Sequence, residues 1–446
     1  MEYLTAFERT LGLGQEPYSL ARNELGQAAE TGRDVTALRA EFDALDPGDE
    51  AALTEIYERT LALPGPADWP YYEGSDLDGI VARLPAAGEE TVAGGHDLAG
   101  RLRGAWSGRV VGNMLGKPVE MGWPRARLKE YLLAQDAYPL TDYVPLESED
   151  ESEKYGFVLL EKNVTRGRID GSARDDDVDY TIFGLHLLET YGTAYTSWHV
   201  AYEWLRRFPA YQVFTAERAA YQNLVREVPL DRVGEYHNPF REWIGAQIRA
   251  DIFGYVSPGA PRRAALLAYQ DAFLSHRANG IYGEMWAAAL IASAFTADSP
   301  EESVVRSLDH VPGDSRLAAE VRTVLADYRA GLSWEDCLDR LDARHQGMSW
   351  VHTLNNTGVL TAGILWGEGD FTSTIALTVQ AGLDTDSTGA TAGSWAGAFL
   401  GDKAIPPHWL TPLKDRVRSA VFGFGNTTID SLTNRTTTLV ETLRHT

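Results

Sequence analysis

A wholly or mostly α-helical fold is the prediction for this chain of 446 residues, and three observations carry it. Apolar residues recur at helical spacing along most of the sequence, alternating strand patterns are scarce, and two segments place glycine at every fourth position. The length exceeds a typical single core, so one large domain with an appendage, or two domains, is expected.

Residues 1 to about 62 alternate apolar and charged positions at helical spacing, with Leu38, Phe42 and Leu45 on one face, and fit several short amphipathic helices. Pro64-Gly65-Pro66-Ala67-Asp68-Trp69-Pro70-Tyr71-Tyr72-Glu73 breaks that period and reads as a linker. Trp69, Tyr71 and Tyr72 are too apolar for a free tether, so the linker is expected to lie against the main body. A plainer loop runs from Pro85 to Gly95. The expected division is therefore an N-terminal helical extension and linker over residues 1–85, and a main unit over residues 96–446.

From Asp97 the character changes. Gly100, Gly104, Gly108, Gly112 and Gly116 recur every four residues among good helix formers, and Gly389, Gly393, Gly397 and Gly401 repeat the pattern. Each glycine inside a helix costs roughly 0.5–1 kcal/mol relative to alanine. Such stripes need an offsetting gain, and close approach of another backbone supplies one. Both helices are therefore predicted to be buried and central, with at least one stripe against a tightly packed neighbour.

The stretch from Tyr131 to Arg168 is acidic, poor in periodicity and loop-like. Beyond Asp175-Asp176-Asp177, Tyr180 to Glu189 is strongly apolar and helical, with the aspartates in its first turn, where the helix dipole favours negative charge. Ser197 to Arg207, Pro261 to His276, Glu284 to Phe295, Glu301 to Leu308, Arg316 to Gly331 and Ser333 to Arg344 also read as helices. Asn279-Gly280 marks a sharp turn between two of them.

Composition removes several functions. With 64 acidic and 40 basic side chains, the net charge of −24 disfavours phosphate backbones and anionic membranes. Nucleic-acid binding would need a concentrated basic patch, and none is found. The single cysteine, Cys337, excludes an internal disulfide and every multi-cysteine metal site. The first residues lack a signal peptide, and no run of about 18 residues is apolar without charges, so a cytoplasmic chain is expected.

Gly382-Leu383-Asp384-Thr385-Asp386-Ser387-Thr388 crowds carboxylates and hydroxyls at the mouth of an apolar, small-residue segment. Buried carboxylates are costly unless compensated, and a hard cation such as Mg²⁺, Mn²⁺ or Ca²⁺ is the simplest compensation. The spacing does not match an EF-hand loop. Asp175-Asp176-Asp177 alone fits a helix cap and solvated turn as well as it fits a metal site. Gly112-Asn113-Met114-Leu115-Gly116-Lys117-Pro118-Val119-Glu120 ends the first glycine helix: Gly116 suits its C-terminus and Pro118 forbids continuation. His276, at a predicted helix end, is by itself better explained by pairing with the helix dipole than by catalysis.

Together these elements resemble the ADP-ribosylglycohydrolase family, the dinitrogenase-reductase-activating glycohydrolase group. The ordered motifs are Gly-x-x-Leu-Gly-Lys-Pro-Val-Glu, Asp-Asp, a histidine-ended helix and Gly-x-Asp-x-Asp-Ser/Thr, spanning about residues 97 to 402. The resemblance implies an all-α, orthogonal multi-helix fold, here with an N-terminal helical extension, that holds two divalent cations, Mg²⁺ or else Mn²⁺. Carried over by position, the metal ligands are Asp175, Asp176, Asp177, Asp384, Asp386 and Ser387. Glu120 and Asp177 are the candidate catalytic carboxylates. Asn113 and Lys117, with His276, Asn279, Gly280, Tyr282 and Glu284, are the candidate substrate contacts. The sequence departs from the usual pattern at Asp175, where threonine is usual, at Val178, where a second threonine stands, and at Asn113, where many members have aspartate. Ser387 replaces threonine and keeps the hydroxyl.

The resemblance implies hydrolysis of an N- or O-linked ADP-ribosyl group by activated water. Lys117, Arg174 and Arg249 are candidates to meet a phosphate. A second reading is a ribosyl hydrolase for a small nucleoside or nucleotide. A third is a catalytically idle binding or structural member of the fold, against which the retained carboxylates and hydroxyl argue. The expected partner is a ribosyl-containing small molecule or an ADP-ribosylated substrate, with neither nucleic-acid backbone nor membrane.

Overall fold

The computed structural model describes residues 16–86, 88, 90–94, 97–121, 123–146 and 162–444. The sequence's first fifteen positions and residues 147–161 of the acidic stretch lie outside these residues. Among the described residues there are twenty α-helices, several single 3₁₀ turns and one small antiparallel hairpin, Val417–Arg418 against Asn426–Thr427. The fold is all-α, and no described helix is long and apolar enough to cross a membrane.

The two glycine stripes face each other. Helix Leu98–Gly116 packs antiparallel on helix Thr385–Leu400, with Gly104 against Gly397, Gly108 against Gly393, Gly112 against Gly389 and Gly116 against Thr385. A Cβ added at any of these seven glycines would come closer than 3.0 Å to the facing backbone. The stripe thus converts a loss of helix propensity into backbone-to-backbone contact. Around this pair the core is continuous. Helix Asn279–Ala294 is buried along its whole length, and Trp106 donates its indole N–H to Thr436 Oγ1 at 3.0 Å on the C-terminal helix Ile429–Leu443.

Because the pair is antiparallel, the last turn of one helix meets the first turn of the other. Thr385 Oγ1 donates to the Gly116 carbonyl at 2.8 Å and locks that end. Beyond Gly116 the chain makes one 3₁₀ turn, Lys117–Val119, which delivers Glu120 beside Asp384 and Asp386.

Helices Pro17–Glu30, Thr36–Ala44 and Glu50–Leu61 share a small core of their own, built on Leu20, Leu25, Leu38, Phe42, Leu53 and Ile56. The linker lies against the main body as expected. The Tyr72 N–H donates to Asp314 O at 3.0 Å, and Tyr72 stacks on Tyr282 with centroids 6.4 Å apart.

Several expected boundaries shift. The Pro261 helix ends at Ala272, four residues before His276. The next helix begins at Asn279 itself, because Ala278, at φ 46°, makes the turn that Asn-Gly was expected to make. Residues 125–134, partly assigned to the loop-like stretch, form helix Arg125–Ala134 around the buried Leu128, Tyr131 and Leu132.

The stripe predicts opposite outcomes for one substitution. Gly108→Ala or Gly393→Ala forces the backbones apart and should lower the melting temperature by more than about 5 °C. Gly26, within helix Pro17–Glu30, has nothing within 4 Å of an added Cβ, so Gly26→Ala should stabilise by roughly 0.5–1 kcal/mol. Thermal denaturation of the three variants checks both signs.

Candidate metal centre

Two helix starts and one helix end build the centre. Asp175 is the N-cap of helix Asp176–Tyr191, with extended backbone at φ −151°, ψ 147°, and its Oδ1 accepts the Asp177 N–H at 3.0 Å. The same oxygen accepts Asn113 Nδ2 at 2.9 Å from the glycine helix, while Oδ2 pairs with the Lys117 ammonium. Asp177 is placed from behind: Arg109 Nε and Nη2 donate to its carbonyl at 3.0 and 2.6 Å, and Arg109 also pairs with buried Asp251.

Asp384 enters through a left-handed turn, with Gly382 at φ 79° and Leu383 at φ 66°. That conformation is unfavourable for leucine, and an isolated antiparallel bridge from Trp123 to Leu383 holds it. Asp384 occupies the N-cap position of helix Thr385–Leu400, yet its side chain makes no capping hydrogen bond, which leaves the carboxylate turned to the cluster. Its N–H donates instead to Asn356 Oδ1 at 3.2 Å.

These supports converge on two acidic triads. Glu120, Asp384 and Asp386 form one; Asp175, Asp177 and Asp386 form the other. In each, one carboxylate oxygen from every member lies within 4.8 Å of the others, a spacing that fits a single cation. Asp386 belongs to both. Ser387 Oγ adds a neutral oxygen, donating to Asp177 Oδ2 at 3.3 Å.

The electrostatics point the same way. Burial, followed by the charge of Asp386, pushes Asp177, Asp384 and Glu120 well above their ordinary values, and burial with Asp175 raises Asp386 itself. Asp176 rises to about 7, through burial first and Asp175 second. Asp175 is the exception: burial opposes its charge, but the Lys117 ammonium, with a hydrogen bond to the Asp177 side chain, overcomes it and holds the carboxyl at about 2. Asp177 Oδ1 is buried and accepts no hydrogen bond, with Arg109 Nη2 3.8 Å away. Oxygen-only ligands and an orphaned buried carboxylate oxygen are what a hard divalent cation requires.

Not every expected site residue joins this cluster. Asp176 stands beside both triads and belongs to neither. Asn113 and Lys117 are there, as partners of Asp175. The second expected group is engaged elsewhere. Asn279 Nδ2 donates to Glu73 Oε1 at 2.9 Å and Glu242 Oε2 at 2.8 Å, and the Tyr282 hydroxyl bonds the Gly74 carbonyl. A Cβ at Gly280 would strike the Arg241 carbonyl, so that glycine serves packing. Glu284 and His276 lie in the buried network of Arg249, whose guanidinium reaches Glu217 at 2.7 Å and Glu284 at 3.5 Å. Burial, then Arg249, lowers the pKa of His276 well below its ordinary value, and Ser275 Oγ sits 2.8 Å from its Nδ1. Arg249 is thus committed to carboxylates, and Arg174 to Asp179 at 2.7 Å. Sequence reasoning missed Arg109 and Asn356. The signals were there: an arginine inside a glycine-striped apolar helix, and an Asn-Asn pair opening another apolar one.

Comparison with known proteins places the chain in a family. Residues 95–444 match the sequence model of the ADP-ribosylglycohydrolase family. A solved structure described as an ADP-ribosylglycohydrolase-related protein complex is similar at 17% identity, covering 78% of this chain and 99% of its own, with a TM-score of 0.47. No curated protein sequence matches the chain.

Two departures from the family pattern touch each other. Asn113, where aspartate is frequent, donates to Asp175, where threonine is usual, so the carboxylate stands on the other partner of one hydrogen-bonded pair. Asn113→Asp alone sets two carboxylates face to face and should lower the melting temperature of the cation-free protein. Adding Asp175→Thr should recover much of that loss, with a coupling of at least about 1 kcal/mol in a double-mutant cycle by thermal or urea denaturation.

Proposed function

The chain belongs to the ADP-ribosylglycohydrolase family, and from that premise we propose that it is a cation-dependent glycohydrolase cleaving an N- or O-linked ADP-ribosyl group. The observation that carries the reading is Asp386, shared by two acidic triads of which Glu120 forms the outer edge. In this reading the catalytic unit is residues 96–446, preceded by the helical extension of residues 1–85.

Asp175, Asp177 and Asp386 would hold one ion, and Asp384, Asp386 and Glu120 the other, with Ser387 Oγ as a further oxygen. Mg²⁺ suits these hard ligands best, and Mn²⁺ next. When bound, the ions supply positive charge that orients ribose hydroxyls and brings the pKa of a water towards neutrality.

The chain's own residues do the rest. Glycosidic cleavage builds oxocarbenium-like charge on the sugar and negative charge on the leaving group, so a carboxylate beside the ring favours the transition state. Among the triad carboxylates Glu120 is the half-buried one, 30% accessible against 1% for Asp175 and 3% for Asp177, which suits it for proton transfer. Ionised when cations offset the neighbouring charges, it takes the proton of the attacking water as the oxygen bonds to the anomeric carbon and the glycosidic bond breaks. It gives that proton to the departing nitrogen or oxygen, while Asp177 is held in place by Arg109. Lys117, 3.8 Å from Glu120 and paired with Asp175, limits the charge repulsion between them.

The test is release of ADP-ribose from modified arginine and serine peptides, run beside a nucleoside panel with Mg²⁺ and Mn²⁺. Turnover of the peptides is expected, and Asp386→Asn should reduce it by roughly 10²–10³-fold or more. The same substitution should remove the rise in melting temperature that Mg²⁺ or Mn²⁺ gives the parent protein. Activity on nucleosides alone would overturn the ADP-ribosyl assignment, and a parent protein indifferent to both cations would overturn the metal centre.

A further inference from the structure

The N-terminal helices lie before the residues that match the family, 95–444, yet one of them reaches the support of Asp384. Helix Pro17–Glu30 docks through three polar side chains on successive turns. Glu24 pairs with Arg241 at 2.7 Å, Gln27 Nε2 donates to Glu242 Oε1 at 2.6 Å, and Glu30 Oε1 accepts the Ser349 N–H at 2.7 Å. Arg316 Nη1 fixes the end of the helix by donating to the Glu30 carbonyl at 2.6 Å.

Ser349 opens a tight turn, and the asparagines after it close that turn from the other side. Asn355 Nδ2 donates to Ser349 O at 2.9 Å, while Asn356 Nδ2 donates to Trp350 O and His352 O at 2.8 and 2.9 Å. With its amide hydrogens committed to the turn, Asn356 offers Oδ1 to the Asp384 N–H at 3.2 Å. An unbroken chain of hydrogen bonds and covalent turn therefore runs from Glu30 to the backbone of Asp384. Leu383, just before Asp384, is held at positive φ, so this backbone has a specific conformation to keep.

We infer that the N-terminal helix is a built-in brace for the metal centre. Glu30 sets the 349–352 turn, the turn aims Asn356, and Asn356 fixes where the Asp384 carboxylate stands. Glu30 is a positioning residue in this scheme and touches neither cation nor substrate. The inference rests on the reading of Asp384 as a metal ligand given above.

Mn²⁺ binding to the full chain, measured directly by titration calorimetry, tests the brace. Glu30→Ala and Asn356→Ala should each weaken Mn²⁺ binding roughly tenfold, the lower end of what loss of an outer-shell partner costs. The double variant should bind about as well as the weaker single one, since both cut one path. Glu30→Gln keeps an oxygen for the Ser349 N–H and should bind like the parent. Glu24→Ala loosens docking without touching the turn, so it should lower the melting temperature and leave Mn²⁺ affinity unchanged. Glu30→Asp, which withdraws the carboxylate by one methylene, gives the same reading if Glu30→Ala does not fold. Unchanged affinity in Glu30→Ala, or in Glu30→Asp where the alanine variant does not fold, beside a parent that binds Mn²⁺ overturns the brace alone, as does equal loss in Glu24→Ala. A parent that binds no Mn²⁺ overturns the metal centre and the brace together.

Discussion

Everything at the acidic cluster depends on how closely two helix backbones can approach. Helices Leu98–Gly116 and Thr385–Leu400 meet glycine to glycine at three successive contacts, with Gly116 against Thr385 at a fourth, and even a methyl group on any of these glycines would collide with the facing backbone. Helix pairs with ordinary side chains at the contact sit about 8–10 Å apart. Removing those side chains lets the helix ends converge, so the chain leaving Gly116 and the chain entering Thr385 share one small volume. Glu120 and Asp384, separated by more than half the sequence, become neighbours because of contacts made several turns away.

That convergence concentrates like charge. Glu120, Asp175, Asp176, Asp177, Asp384 and Asp386 share a region whose basic side chains are Lys117, Arg109 and Arg174, and the last two have acidic partners of their own in Asp251 and Asp179. Lys117 secures one carboxylate, Asp175, and the rest raise one another's pKa. A chain of net charge −24 gains no long-range help with this problem. The protein answers locally, with the start of helix Asp176–Tyr191 turned to its aspartates, the Arg109 guanidinium behind Asp177, and oxygens spaced for cations.

The sequence is most informative where a local cost demands an explanation. Repeated glycines inside helices are unfavourable by themselves, so their stripes announced close packing, and the Asp384-x-Asp386 knot stood out as expensive to bury, whereas Asp175-Asp176-Asp177 alone fitted a solvated helix cap equally well. What the sequence could not reveal is which stripe met which, since pairing depends on the antiparallel arrangement and on Thr385 bonding Gly116. The residues from His276 to Glu284 show the same dependence on the fold. Their polarity suits a site, but Glu73, Gly74 and Arg249, brought in by the fold, take up Asn279, Tyr282 and Glu284. Helix ends moved wherever a tertiary contact, such as Arg277 N–H to Arg241 O at 2.9 Å, replaced continuation of the helix.

The supports and the inward-facing acids make different demands on stability. Arg109 to the Asp177 carbonyl, Asn356 to the Asp384 N–H and Thr385 to the Gly116 carbonyl are bonds within the protein, anchored in a continuous apolar core. Each has a backbone group as one partner, so none of them uses a carboxylate oxygen of the cluster. The scaffold therefore resembles neither a zinc finger, whose fold needs its metal, nor a flexible loop that ligands gather around an ion. Mutual repulsion of the acids works against the scaffold but is confined to one end of a large core. Opposite charge placed there would relieve a local strain in a framework that is already built. The carboxylates would then meet it in their final positions, with little reorganisation needed, which is the condition under which electrostatic stabilisation is most effective.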